Sequence, residues 1–447
     1  MKSLLTFLLV FVIFDKVDAQ NTAIKAGPML GAVEMTEANL WVQTHEAVSV
    51  TIRYREKGTS DFLVKDVGNT TQENSFVKHI KLEGLNHGSE YEYQVLINNE
   101  AVSFPYETDF KTQTLFQFRS DAPNFLITMG SCLYTNDAPD DRPGRPYGGD
   151  AGILQTIADM NPDIMLWLGD NVYYREPDFY SKQKLDYRNQ DARDTPEMQE
   201  LLATAINIAS WDDHDYGPND SDRSYRLKDD ALDLFKRYWA NPGYGTSETK
   251  GIFTRYKYHD VEFFITDDRY HRAPNRLQDP NKDFFGEGQL QWLKDALINS
   301  RAVFKFIVVG NQATNRATRH EGLINFPREY NDLMNYIEEQ DIEGVIFLSG
   351  DRHFTELLKT NRGKNYPIYE FTSSPLTSGT FSNLDQTEEY NNPQRVDGTV
   401  VFKERNFGVL KVEGKRNERV LTMQTYNENK ELLWEFVISE DDLKTNR

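Results

Sequence analysis

Apolar and polar positions alternate in short runs along the first quarter of the chain. Residues 38–43 (ANLWVQ), 48–53 (VSVTIR) and 91–97 (YEYQVLI) follow this period of two, and clusters of turn-forming residues separate the runs. Alternation of this kind is typical of strands with one buried face, and its repetition at short intervals indicates an antiparallel sandwich. The pattern therefore predicts a small all-β domain over residues 25–116.

The stretch 85–93, LNHGSEYEY, resembles the tyrosine-bearing corner of fibronectin-type modules. This likeness implies that the N-terminal sandwich is fibronectin- or immunoglobulin-like. Residue types that carry out catalysis do not cluster in this region, so we expect it to be structural or accessory.

The pattern changes after about residue 120, where longer apolar runs alternate with amphipathic helical periods. Strands are predicted at residues 125–129, 163–168, 261–266, 304–309 and 344–348, and helices at 153–160, 198–208, 289–299 and 329–339. Residues 399–438 return to alternating strands, which we expect to complete a sheet. The order of elements predicts a layered α/β (α+β) domain over residues 120–440.

The chain begins with a basic residue, an apolar run over residues 4–14 and small residues that end at Ala19. This arrangement is typical of a secretory signal peptide over residues 1–19, with cleavage near Ala19, and the run is too short to span a bilayer. We therefore expect an exported protein, periplasmic or secreted, that has no membrane span.

Composition and charge narrow the class of protein further. With 38% hydrophobic and 13% aromatic residues, the chain has the composition of a globular protein. Its net charge of −20 opposes binding to nucleic acid, so we expect no nucleic-acid partner. An anionic substrate would need a local positive centre to overcome this field. The single cysteine, Cys132, excludes an internal disulfide and calls for another explanation.

Metal-ligand residue types follow several of the predicted apolar elements. The motifs are GSC, which ends at Cys132, GDNVY at residues 169–173, SWDDHD at 210–215 and SGDRH at 349–353. Each alone has an ordinary interpretation: a small core cysteine, a Gly-Asp turn or a solvated acidic loop. Together they predict a metal site, because sites in α/β domains form where strands end.

The types of ligand also indicate the metal. A cysteine thiolate and a tyrosine phenolate suit a strongly polarising ion such as Fe³⁺. Several carboxylates suit calcium, magnesium, manganese or zinc. The sequence therefore predicts a mixed centre of two or more ions, in which Asp170 is placed to bridge.

These motifs, together with Asp267-Asp268-Arg269, closely resemble those of the PhoD-type alkaline phosphatase/phosphodiesterase D family. That family belongs to the calcineurin-like metallophosphoesterase superfamily. The resemblance implies a metallophosphoesterase-type β-sandwich flanked by helices. It also implies hydrolysis of phosphate esters by metal-activated hydroxide.

The resemblance implies Fe³⁺ and Ca²⁺ as cofactors, with zinc, manganese or magnesium as alternatives. Cys132, Asp170 and Tyr173 would hold the iron-type ion, and Asp170 would also bridge to the divalent ion. The full set of implied metal ligands is Cys132, Asp170, Tyr173, Asp213, Asp351 and His353.

Catalytic roles are implied in the same way. His214 would contact the phosphate and protonate the leaving group, while Asp215 would orient its imidazole. Asp212 is a further ligand or an acceptor behind the ligands. Arg269 would bind phosphate oxygens, the alternative being an ion pair with Asp267.

Asn311 ends another predicted strand and is a ligand, a phosphate donor or a turn cap. Arg352 is expected to support the neighbouring ligands. The predicted function is that of a secreted metal-dependent phosphatase that acts on a phosphate-ester substrate. The alternatives are a phosphodiesterase or phospholipase-like enzyme, a sulfate-ester hydrolase and a non-catalytic metal-binding adhesion protein.

Overall fold

A computed structural model describes residues 23–318 and 321–445 of the 447-residue chain. The predicted signal peptide lies outside these residues. Within the described ranges, no helix combines the length and the apolar character that crossing a bilayer requires.

The N-terminal region consists of strands that form two small sheets. The first sheet has the order β1-β2-β5, and the second has the order β4-β3-β6-β7, with β8 also paired to β6. The strands are β1 Ile24–Val33, β2 Glu37–Thr44, β3 Ser49–Glu56, β4 Leu63–Asn69, β5 Val77–Glu83, β6 Glu90–Ile97, β7 Glu100–Ala101 and β8 Asp109–Lys111.

Alternating burial explains why these strands form a sandwich. In β3, the side chains of Val50, Ile52 and Tyr54 are buried, whereas their neighbours are partly exposed. The tyrosine corner is present as well, since the Asn86 backbone N–H donates to the Tyr91 hydroxyl at 2.8 Å. The predicted small all-β domain is confirmed.

The second domain contains two six-stranded sheets. The first has the order β11-β10-β9-β18-β19-β20, and β9, β10 and β11 are parallel to one another. The second has the order β12-β13-β14-β15-β17-β16, with β13, β14, β15 and β17 parallel. The strands are β9 Phe125–Gly130, β10 Ile164–Leu168, β11 Ile206–Ser210, β12 Thr254–Tyr258, β13 Val261–Ile265, β14 Phe304–Val309, β15 Val345–Ser349, β16 Glu356–Arg362, β17 Asn365–Thr372, β18 Asn406–Glu413, β19 Val420–Asn427 and β20 Leu432–Ser439.

The two large sheets pack face to face. The Phe371 ring lies 4.9 Å from that of Trp434, and the Ser373 hydroxyl donates to the Met129 carbonyl at 3.2 Å. A Cβ on Gly408 would lie 3.1 Å from the Phe371 ring, so this glycine permits the close approach of the sheets. The predicted metallophosphoesterase-type sandwich is confirmed.

Helices connect the strands and flank the sheets. The α-helices are α1 Gly152–Ala158, α2 Lys182–Arg193, α3 Gln199–Thr204, α4 Asp213–Tyr216, α5 Lys228–Tyr238, α6 Glu287–Asn299 and α7 Pro327–Glu339. Short 3₁₀ helices occupy Gln72–Asn74, Pro196–Met198, Leu323–Asn325, Leu384–Gln386, Glu388–Asn391 and Glu440–Leu443. The polar stretch 175–200 contains α2.

The helix predicted over residues 198–208 is wrong in its second half. The α-helix ends at Thr204, and β11 begins at Ile206 in parallel register with β10. Every residue of β11 is buried, so its apolar run lacks the alternation that would mark a strand. Pairing with β10 decides its conformation, and the SWDDHD motif consequently starts at a strand end.

The N-terminal domain packs against the strand that precedes this motif. The Asn207 side chain in β11 donates to the Leu30 carbonyl in β1 at 3.2 Å, and the Tyr256 hydroxyl donates to the Val33 carbonyl at 2.7 Å. A Cβ on Gly31 would lie 2.4 Å from the Ala240 carbonyl oxygen. The sandwich therefore supports one wall of the second domain.

Candidate metal centre

Five loops at the carboxyl ends of parallel strands carry the residues of the site. They place Cys132 after β9, Asp170 after β10, Asp213 after β11, Asn311 after β14 and Asp351 after β15. Parallel strands end at one edge of a sheet, and the two sheets face each other. Loops that are distant in sequence are thereby brought together at one place.

Several of these residues have an unusual backbone conformation. Cys132, Asp170, Asp351 and His353 have φ angles of 62°, 54°, 66° and 58°, in the left-handed region. Such conformations cost about 1–3 kcal/mol each when they are held by the surrounding fold. Hydrogen bonds between the loops hold them here, as from the Cys132 N–H to the Gly169 carbonyl at 3.3 Å. Four such residues in the loops at one edge make this edge a candidate functional site.

One group of ligand atoms comes from Cys132, Asp170 and His353. These atoms all lie within 4.8 Å of one another. The Tyr173 hydroxyl donates to Asp170 Oδ2 at 3.0 Å and lies 3.4 Å from His353 Nε2. The predicted thiolate, carboxylate, phenolate and imidazole ligands therefore meet around one point.

A second group consists of Asp170, Asp213 and His214, again with ligand atoms within 4.8 Å of one another. Asp170 belongs to both groups, which is the position expected of a bridging carboxylate. A third group joins Asp213 to Asp220 and Glu321. The predicted ligand Asp351 belongs to none of these three groups, and its backbone carbonyl accepts from the Cys132 thiol at 3.5 Å.

The electrostatics of the site fit cations. Burial, followed by repulsion from other anionic groups, raises the pKa of Asp170, and burial raises the pKa of the Cys132 thiol to about 11. Burial and the charge of Glu321 raise the pKa of Asp351 to about 7. The buried Asp213 Oδ1 has no hydrogen-bond partner among the described residues. Polyvalent cations would compensate this concentration of anionic groups.

Comparison with known families identifies the chain. The model of the PhoD-like phosphatases matches residues 144–423, which is more than half of its length. The chain belongs to the PhoD-like phosphatase family. This confirms the resemblance predicted from the motifs, four of which lie inside the matched range. Membership in this family supports the conclusion that the protein is a metal-dependent hydrolase of phosphate esters. A second model, of a domain of unknown function, matches residues 21–115.

Solved structures share the fold of this PhoD-like phosphatase. A structure of PhoD is 15% identical, with a TM-score of 0.73, and the match covers 94% of this chain and 92% of that chain. A purple acid phosphatase, PPD1 from yellow lupin (Lupinus luteus) seeds, is 12% identical, with a TM-score of 0.64 and coverage of 93% and 75%. No curated protein matches the chain.

Two carboxylates of the SWDDHD motif cap a helix. Asp212 is the N-cap of the short helix α4, and its backbone N–H donates to Asp215 Oδ2 at 3.0 Å. Asp215 Oδ1 accepts from the Asn171 N–H at 2.9 Å. The side chain of Asp215 thus turns back to the start of the helix. This differs from the expected contact between Asp215 and the His214 imidazole.

Arg269 also differs from its expected role. Its side chain is fully buried, with Nε donating to Asp212 Oδ1 at 2.6 Å and Nη1 donating to Glu321 Oε2 at 2.6 Å. The alternative partner, Asp267, instead accepts from the Arg269 backbone N–H at 3.0 Å. A guanidinium that is buried and paired with two carboxylates supports the acidic residues of the site.

Asn311 and Arg352 lie behind the Asp351 carboxylate. The Asn311 side chain donates to Asp351 Oδ2 at 3.1 Å, and its backbone N–H donates to Asp268 Oδ2 at 3.0 Å. Arg352 pairs with Glu389 at 2.7 Å. Both residues fix the loop that carries Asp351.

Hydrogen bonds orient the His353 ring. Its Nδ1 lies 2.5 Å from the Gly379 carbonyl and 3.1 Å from the Tyr147 hydroxyl, which leaves Nε2 facing Tyr173. If Nδ1 donates to the carbonyl, Nε2 presents its lone pair to the site, as a metal ligand requires.

Sequence reasoning missed Asp220, Glu321 and Tyr147. The other residues were predicted from the strand-end rule, by which sites in α/β domains form where strands end. Asp220, Glu321 and Tyr147 do not follow a predicted strand, so this rule does not predict them. Asp220 could have been suspected from its short distance in sequence to Asp213. Nothing in the sequence around Glu321 or Tyr147 singles them out.

Proposed function

We propose that this PhoD-like phosphatase is an exported enzyme of the alkaline phosphatase type that hydrolyses phosphate esters with bound polyvalent cations. The observation that carries the proposal is the sharing of Asp170 between two groups of ligand atoms. One buried carboxylate between two such groups is the arrangement required to hold two ions a few ångströms apart.

The first ion would be held by Cys132, Asp170, Tyr173 and His353. Thiolate and phenolate ligands favour Fe³⁺ at this position. The second ion would be held by Asp170 and Asp213, with Asp351 beside them, and its carboxylate ligands favour Ca²⁺. When bound, the ions would supply Lewis-acid stabilisation of the phosphate and a lowered pKa for water.

His214 would protonate the leaving oxygen. Its ring stacks on the Tyr173 ring at a centroid distance of 4.2 Å, and the imidazole borders a cleft of about 920 Å³. Burial lowers the pKa of His214, and the charge of Asp213 opposes part of this shift. The His214 backbone N–H donates to Asp170 Oδ1 at 3.3 Å, which ties the two residues together.

The cleft also bears on the choice between mono- and diesters. Its volume of about 920 Å³ accommodates two organic substituents on the phosphorus as well as one. Diester hydrolysis is therefore our second candidate activity at the same site. Export rests on the predicted signal peptide at residues 1–19.

The test uses the full-length mature protein. Metal content is measured on the protein as isolated, and hydrolysis of p-nitrophenyl phosphate is compared with that of bis(p-nitrophenyl) phosphate. D170N should lose more than one equivalent of metal and at least about 100-fold in kcat, because it removes the shared ligand. D61N, an exposed substitution in the N-terminal domain, serves as the control. Normal turnover by D170N would refute the proposed site.

A further inference from the structure

The cleft beside the candidate metal centre is larger than one phosphate group needs. It has a volume of about 920 Å³, and Tyr173 and His214 of the site form part of its lining. Further out, it is lined by Tyr134, Tyr147, Arg145, Phe179 and Arg405. The outer part can therefore contact portions of a substrate that the ions do not reach.

Arg405 is a cation of this outer part that hydrogen bonds hold in place. Its Nε donates to the carbonyl oxygens of Thr377 and Ser378, at 2.9 and 3.2 Å. The N–H groups of these two residues donate in turn to the Cys132 carbonyl, at 3.2 and 3.1 Å. The next residue, Gly379, accepts from His353 Nδ1. Arg405 is thus fixed to the segment that adjoins two metal-ligand residues.

The guanidinium occupies space that a glycine leaves open. A Cβ on Gly149 would lie 2.1 Å from Arg405 Cζ and 2.1 Å from Nη1. Among the described residues, Nη1 and Nη2 of Arg405 have no hydrogen-bond or ion-pair partner, although Nε has two. Two parallel donors therefore remain for an anion, in the fork geometry that matches a carboxylate or phosphate.

Acidic side chains of the cleft do not neutralise this cation. Four of the five already have partners within 3.6 Å, as hydrogen bonds or ion pairs: Asp140 with Arg188, Asp141 with Arg175, Glu176 with Arg142 and Glu404 with Asn427. The fifth, Glu428, makes no ion pair with Arg405 in the described part of the chain. The positive charges of Arg405 and Arg145 remain available beside the metal centre.

We propose that Arg405 binds a second anionic group of the substrate, separate from the phosphate that the ions hold. The inference rests on the proposed function and deepens it, since it specifies phosphate esters that carry a further carboxylate or phosphate. Arg269, predicted to bind anionic oxygens, is buried and paired with Asp212 and Glu321, whereas Arg405 lines the cleft with two donors that have no partner among the described residues. It is a specificity-determining residue.

A pair of non-hydrolysable ligands tests this assignment. Butylphosphonate carries one anionic group, and 4-phosphonobutyrate has a similar length with a terminal carboxylate. Their Kd values are measured by calorimetry on the metal-loaded protein. Wild type should bind 4-phosphonobutyrate roughly tenfold more tightly, the contribution expected of a charge-assisted hydrogen bond in a half-exposed site.

R405Q should abolish this preference and leave the Kd of butylphosphonate and the metal content unchanged. R405K, which keeps the positive charge but lacks the two parallel guanidinium donors, should retain part of the preference for 4-phosphonobutyrate. R301Q, at the opposite end of the domain, is the matched control and should behave as wild type. Equal binding of both ligands by wild type, or a preference retained by R405Q, would overturn the inference.

Two further outcomes separate the inference from the proposed function. If R405Q keeps its metals and loses affinity for both ligands equally, Arg405 acts on the metal-held phosphate and the second-anion subsite is refuted. If neither ligand binds metal-loaded wild type, the proposed function fails and the inference fails with it.

Discussion

Replacement of Arg269 by methionine distinguishes its predicted and observed roles. The sequence predicts a substrate-binding arginine, whose loss would weaken phosphate binding and leave the fold intact. The structure instead shows a fully buried guanidinium that contacts Asp212 and Glu321. R269M has a similar side-chain length but leaves Asp212 without its cation and Glu321 with Arg272 alone.

The expected loss of stability in R269M follows from the burial of Asp212 and Glu321, the two carboxylates that Arg269 contacts. The side chains of Asp212 and Glu321 are 0% and 8% exposed in these ion pairs. Although burial would raise the pKa of Glu321, the charges of Arg269 and Arg272 hold it below its usual value, so Glu321 is ionised in the native protein. Removing one partner of a buried ion pair costs about 3–5 kcal/mol. We expect R269M to lose about this much stability.

Urea unfolding followed by tryptophan fluorescence and circular dichroism measures the loss. Trp211 is a suitable probe, because its Nε1 donates to Asp267 Oδ1 at 2.9 Å, two residues before Arg269. R255M is the matched control, since Arg255 is 55% exposed and its partner lies 3.8 Å away; it should change stability by less than about 0.5 kcal/mol. If R269M unfolds at the same urea concentration as wild type but binds butylphosphonate much more weakly, the structural role of Arg269 is refuted.

Three further predictions concern the cap, a buried lysine and the metals. D215N should lower stability by about 1–3 kcal/mol, because both carboxylate oxygens accept backbone N–H groups, yet leave the pH profile of hydrolysis unchanged; a shifted profile would restore the catalytic role. Burial lowers the pKa of Lys305 from 10.5 to about 8, so the unfolded chain binds more protons between these values and stability should rise with pH. K305M should abolish that rise in urea midpoints measured at pH 8 and 10, and an unchanged slope would contradict it. Metal uptake at pH 7 should release protons in a calorimetric titration, since burial raises the pKa of the Cys132 thiol to about 11; uptake without proton release would contradict thiolate ligation.

The strand-end rule explains why much of the site could be predicted. Cys132, Asp170 and Asp351 each follow a fully or largely buried strand by two residues, and parallel strands must end at one edge. Local sequence therefore contains the information that brings these ligands together. The same apolar runs predicted β9, β10, β13, β14 and β15. The buried residues of β11 lack a distinguishing period, and β12, β16 and β17 were not predicted.

The rest of the site depends on contacts that sequence does not encode locally. Arg269 looks like an anion-binding residue until Glu321, 52 residues away, is found against its guanidinium. Arg405 likewise gains a role only because its neighbours 377–379 are bonded to Cys132 and His353. In both cases, the contacts of the guanidinium decide the role of the arginine. These contacts are set by tertiary packing, and a sequence motif does not reveal them.

The crowding of carboxylates in SWDDHD has a separate solution for each member. Asp212 pairs with Arg269 through Oδ1, although its buried Oδ2 has no hydrogen-bond partner among the described residues. Asp215 accepts two backbone N–H groups, from Asn171 and Asp212. Asp213 accepts one N–H, from Asp220, through Oδ2, and its buried Oδ1 has no partner among the described residues. A buried, unpaired carboxylate oxygen is costly unless a cation occupies the site. Asp213 is also the one of these three carboxylates that belongs to the groups of candidate ligand atoms among the described residues, so we expect it to hold the ion.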